Sequence, residues 1–128
     1  MKLLIDTLAF LWWTKKDERL SSKASSLIEN IENEIYFSVV SGWEITLKCQ
    51  LGKLILPTEP EIFIPEHLKI NRFIVLPLSL YHVFTTKKLT YYNKDPFDRI
   101  LAAQSKVEDM PIISADSSLK EYNIEVIW

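Results

Sequence analysis

Four acids in this sequence, Asp6, Glu44, Asp98 and Asp116, stand where an apolar run or a loop gives way to a helix-like segment. Carboxylates gathered on one rim could move protons or hold a hard divalent cation, because Mg²⁺ and Mn²⁺ favour carboxylate oxygen and leave positions to water and phosphate. With no histidine or cysteine among them, zinc is disfavoured. Each acid also has a plainer reading. Asp6 and Asp116 can cap the helices that follow them, Ser41 and Glu44 match a capping box, and Asp98 falls at the third position of a helix that Asp95 caps and Pro96 opens. The two readings differ in whether the four meet in space. Carboxylates ~5 Å apart repel by roughly 3 kcal/mol at an effective dielectric near 20, a cost that caps do not offset and a cation removes.

Meeting in space requires a particular scaffold. Short apolar runs at residues 2–5, 35–40, 73–76, 110–113 and 124–127 read as strands, four or five of them real. Helical patterns fall at residues 7–14, 22–32, 41–50, 61–68, 79–88 and 96–108, with a short turn at 117–122. Pro60 and Pro65 suggest that the fourth of these is broken. Strand and helix in alternation predict a three-layer α/β/α sandwich around a central, mostly parallel sheet. In such sheets ligands collect outside the carboxyl ends of the strands, which is where Asp6, Glu44 and Asp116 fall. Nothing divides the chain, so residues 1–128 are expected to form one domain.

Composition narrows the chemistry. Fifteen Lys and Arg against seventeen Asp and Glu give a net charge of −2, so no global cationic field draws in nucleic acid and a local device such as a bound cation is needed. Only two glycines occur, Gly42 and Gly52, which excludes glycine-rich phosphate cradles. The single cysteine, Cys49, forms no internal disulfide and reads as a small buried apolar residue. The apolar stretch from Leu8 to Trp13 is too short to span a bilayer, so a soluble, cytoplasmic protein is expected.

Several motifs together carry a family resemblance: LIDT at 4–7 with LWW at 11–13, SVVSGWEI at 38–45 with Lys48, GKL at 52–54, DPFDRILAAQ at 95–104, SAD at 114–116 and the ending YNIEVIW at 122–128. In this order and spacing the chain resembles, essentially from end to end, a PIN-domain protein, specifically a VapC-type toxin ribonuclease of a type II toxin–antitoxin pair. The resemblance implies an acidic quartet of Asp6, Glu44, Asp98 and Asp116 around Mg²⁺ or Mn²⁺. Asp6 and Asp98 are then the direct ligands, with Glu44 and Asp116 ligating directly or through water. It further implies hydrolysis of RNA phosphodiester bonds, a VapB-type antitoxin as inhibitor, a homodimer and a higher toxin–antitoxin complex. The sequence departs from the family pattern at Leu8 and Asn93, where relatives often have histidine, and at Ser114, where threonine is usual.

Around the quartet, Thr7, Asp95 and Ser114 are candidates for supporting hydroxyl or carboxylate groups. Lys48 either pairs with Glu44 four positions earlier or meets phosphate, and Arg99 either contacts RNA or pairs within the fold. His67 and His82 are expected to be ordinary surface or half-buried histidines. Two other functions stay open: a PIN nuclease that processes RNA or cuts structured DNA without a toxin role, and a non-catalytic binding module whose acids are only caps.

Overall fold

The computed structural model describes residues 1–90 and 95–128, and Asn93 lies outside them. Five strands, β1 (Lys2–Ile5), β2 (Glu34–Ser38), β3 (Ile74–Leu76), β4 (Ile112–Ile113) and β5 (Val126–Ile127), form one sheet in the order β3-β2-β1-β4-β5. All four pairings are parallel. The chain builds outward from β1 through β2 to β3, then crosses back to lay β4 on the other side of β1. That reversal opens a crevice at the carboxyl ends of β1 and β4.

A parallel sheet covered on both faces needs strands apolar on both faces, and Leu3, Leu4 and Ile5 are all fully buried. Leu3 and Ile5 join Ile35 and Phe37 of β2 in one core. Its other side comes from α1 (Thr7–Lys15), α2 (Ser22–Glu29), α3 (Val39–Gln50) and α4 (Pro60–Asn71), through Phe10, Ile28, Ile45 and Phe63. Leu4 and Ile112 face the opposite core, which α6 (Pro96–Glu108) fills with Leu101, Ala102 and Ala103 and the 3-10 turn Ser117–Tyr122 with Leu119 and Tyr122. Helix α5 (Leu80–Thr85) packs on α6. The expected three-layer sandwich is the one observed.

Local boundaries differ in two instructive places. Residues 35–40 do not form one strand: β2 stops at Ser38, whose hydroxyl accepts the Val40 N–H at 3.0 Å and so caps α3. Val39 and Val40 are helical despite their β-branched side chains, and Ser41 with Glu44 is therefore no capping box but lies inside the helix. The fourth helix is also unbroken. Pro60 opens α4, where a missing N–H costs nothing, and Pro65 removes only the bond to Glu61 on an exposed turn.

Candidate metal centre

Three neighbouring strands bring Asp6, Glu44 and Asp116 to one rim of the sheet. Asp6 follows β1 directly and caps α1, its Oδ1 accepting the Ala9 N–H at 2.8 Å. Glu44 sits on α3, just beyond β2, with only 6% of its surface exposed. Asp116 follows β4 and starts the 3-10 turn, where its Oδ1 accepts from the N–H and hydroxyl of Ser118 at 3.0 and 2.6 Å. Capping and gathering are thus compatible, since a carboxylate has one oxygen for the helix and another for the rim. Asp98 lies in the first turn of α6, which Asp95 caps through the Phe97 N–H at 2.9 Å. Trp43 and Phe97, each immediately before its acid, meet edge to face at 4.9 Å and hold the starts of α3 and α6 together.

Electrostatics identify the centre of this rim as Asp6. Burial pushes its carboxyl from the ordinary 3.8 up to about 6. Hydrogen bonds from Ser114 and the Ala9 N–H pull the other way, while the charges of Glu44 and Asp116 add to the rise. A carboxylate that burial and two like charges disfavour is relieved by a cation, and the donors offered are all oxygen. Among the described residues no three His, Cys, Asp or Glu side chains are drawn tightly enough to form a ready-made cage. Glu44 is turned to Lys48, whose Nζ lies 2.8 Å from its Oε2, and Asp116 to Ser118. The donor chemistry fits Mg²⁺ or Mn²⁺.

The other candidate residues make contacts within the fold. Ser114, almost fully buried, holds the turn by accepting the Asp116 N–H at 3.0 Å beside Asp6. Thr7 donates to the Ser41 hydroxyl at 2.9 Å, tying the start of α1 to α3 inside the protein. Lys48 makes the ion pair with Glu44. Arg99 donates to the carbonyls of Thr86 and Thr90 at 2.8 and 3.1 Å and lies over the Tyr122 ring, which is an anchoring role. Leu8 is half exposed.

Sequence reasoning missed a buried polar chain below the rim. His82 is only 2% exposed, not at the surface: its Nδ1 accepts the Ser79 N–H at 3.1 Å, which leaves Nε2 to donate to Glu108 at 2.8 Å. Gln104, fully buried, accepts from Ser38 at 2.6 Å. A glutamine at the end of an otherwise apolar ILAA run was the available signal.

The chain belongs to the PIN domain family, which it matches over residues 3–125. It is 28% identical to Ribonuclease VapC16 of Mycobacterium tuberculosis over 67 residues, 52% of this chain and 46% of that one. The fold is shared with VapBC2 from Rickettsia felis bound to a promoter DNA fragment, with TM-score 0.74, 15% identity, and coverage of 100% of this chain and 99% of that one. A toxin–antitoxin complex from Klebsiella pneumoniae is also similar, with TM-score 0.57, 13% identity, and coverage of 98% and 96%.

Proposed function

We propose that this PIN domain is the toxin of a type II toxin–antitoxin pair, an endoribonuclease that hydrolyses RNA phosphodiester bonds with Mg²⁺ or Mn²⁺. The observation that carries the reading is Asp6, at the carboxyl end of the central strand, whose carboxyl is pushed up to about 6 by burial and by the charges of Glu44 and Asp116. The ribonuclease name of the mycobacterial relative and the toxin–antitoxin complex among similar folds support the substrate and the role.

Asp6 and Asp98 would hold the cation directly, and Glu44 and Asp116 directly or through water. Bound there, the cation lowers the pKa of the attacking water and neutralises charge developing on the phosphoryl oxygens. Glu44, buried and paired with Lys48, would accept the proton that the attacking water loses. Ser114 keeps the Asp6 carboxylate turned to the rim. Asp95 acts from behind, by starting the helix that presents Asp98.

A cognate antitoxin is the natural partner, and a basic side chain from it entering the acidic rim would displace the cation. The exposed apolar side chains Ile74 and Val75 on edge strand β3, with Leu80, Tyr81 and Phe84 on α5, suit a second copy in a homodimer. No helix among the described residues is long and apolar enough to cross a membrane, and we place the protein in the cytoplasm.

The test is cleavage of a labelled RNA pool by purified protein with Mg²⁺, Mn²⁺ or EDTA, beside the Asp6→Asn and Asp98→Asn variants. Metal-dependent cleavage lost in both variants is the expected result. A folded protein that neither cuts RNA nor binds metal by calorimetry would leave the acids as caps. Growth arrest on induction, relieved by a co-expressed antitoxin, separates the toxin from a processing nuclease on the same fold.

A further inference from the structure

The two helices that carry Glu44 and Asp98 are joined inside the protein by a polar bridge. Ser38 caps α3 by accepting the Val40 N–H, and the same hydroxyl donates to Gln104 Oε1 on α6 at 2.6 Å. Both side chains are fully buried. Gln104 Nε2 faces the Pro77 carbonyl at 3.4 Å and His82 Nδ1 at 3.5 Å, and His82 in turn reaches Glu108 at 2.8 Å. Among the described residues no buried side-chain nitrogen or oxygen lacks a partner, so the chain is complete.

An apolar contact between α3 and α6 would tolerate sliding of one helix along the other, whereas a buried hydrogen bond is lost once its groups part by about an ångström. The bridge sits where sliding matters, because Glu44 rides on the helix that Ser38 starts and Asp98 on the helix that holds Gln104. Above it, the partly exposed Trp43–Phe97 contact ties the same two helices. We propose that Gln104 is a positioning residue for the acidic rim: through Ser38 it fixes the register of α3 against α6 and so the spacing of Glu44 and Asp98. This rests on the nuclease reading above.

The experiment compares the full chain with Gln104→Met, which keeps the volume and removes the bridge, and with Ser105→Ala as control. Ser105 is the next residue on α6 and nearly as buried, but its hydroxyl donates to the Met110 carbonyl, away from Ser38. Mn²⁺ affinity is read by calorimetry and RNA cleavage by kinetics, both well below the unfolding temperature. Gln104→Met is expected to weaken Mn²⁺ binding and lower kcat by about tenfold each, the scale for groups that orient metal ligands, with KM little changed. Ser105→Ala is expected to lower the melting temperature and leave both unchanged. If Gln104→Met does not fold, Ser38→Gly removes the bridge from the other end while keeping an acceptable cap, and the same losses are expected. Unchanged Mn²⁺ affinity and kcat in a bridge variant, or equal losses in Ser105→Ala, overturn the positioning role and leave the nuclease standing. A parent protein that neither binds Mn²⁺ nor cuts RNA overturns the nuclease reading, and this proposal with it.

Discussion

The acidic rim and the apolar layer beneath α1 to α4 lie within a few residues of each other, yet they contribute to folding with opposite signs. Phe10 is fully buried against Phe37 and Phe73, with ring centres 4.5 and 6.2 Å away, and every contact there favours the folded state. Asp6, four residues earlier, is held where burial and two like charges oppose its ionised form. The lower layer secures the fold that the rim strains. A site of this kind costs stability in the absence of its cation, and the surrounding core must exceed that cost.

Substitutions can sharpen or break this contrast. The largest change in stability is expected from Phe10→Ala, which should lower the unfolding free energy by about 3–5 kcal/mol while the folded fraction keeps its RNA cleavage rate, measured by urea titration and single-turnover kinetics. Loss of cleavage per folded molecule would show that the core also shapes the rim.

Asp6→Asn should act in the reverse direction. Its folded carboxyl, raised to about 6 from 3.8, binds a proton more readily than the unfolded one, so stability is fullest below about pH 4 and falls as pH rises through 6. At pH 7 without metal the variant should therefore be more stable, by up to about 3 kcal/mol and less where solvent screens the site. The pH 4–6 slope of the urea midpoint should flatten, added Mn²⁺ should no longer stabilise the protein, and cleavage should fall at least about 10²-fold. A variant less stable than the parent at pH 7 would mean that the hydrogen bonds the carboxylate accepts from Ser114 and Ala9 outweigh the cost of its burial.

The smallest effect falls between the two regions. Lys48→Met leaves the buried Glu44 carboxylate without its cation and should lower stability by about 1–3 kcal/mol in the metal-free protein, with part of the loss recovered on adding Mn²⁺. A loss that Mn²⁺ does not reduce would place Lys48 in packing alone.

Much of this was legible in the sequence because buried parallel strands advertise themselves. Runs such as Leu3 to Ile5 are apolar at every position, and the acids after them mark the strand ends. The boundary at Ser38 was less visible, since Val39 and Val40 read as strand and only the hydrogen bond from Val40 N–H reveals that the helix has begun. Pro65 misled for a related reason, because a proline's cost depends on whether the orphaned carbonyl reaches solvent, which one sequence does not state. The polar chain from Ser38 through Gln104 to His82 joins residues far apart in sequence, and no local pattern encodes such a meeting. The positions of Asp6, Glu44 and Asp116 after their strands follow from a general rule of parallel sheets, whereas the Ser38–Gln104–His82 bridge is particular to this chain.

Strand order also has a consequence in time. The central strand, β1, leaves the ribosome well before its partner β4, which pairs Ile112 with Leu4. At a synthesis rate of about 5–20 residues per second, roughly 5–20 s pass between the two. Throughout that interval the nascent chain carries Asp6 with neither Asp116 nor the strand that delivers it. For a protein proposed to destroy RNA, the sheet order works as a delay: the proposed site stays incomplete until β4 and Asp116 have been made.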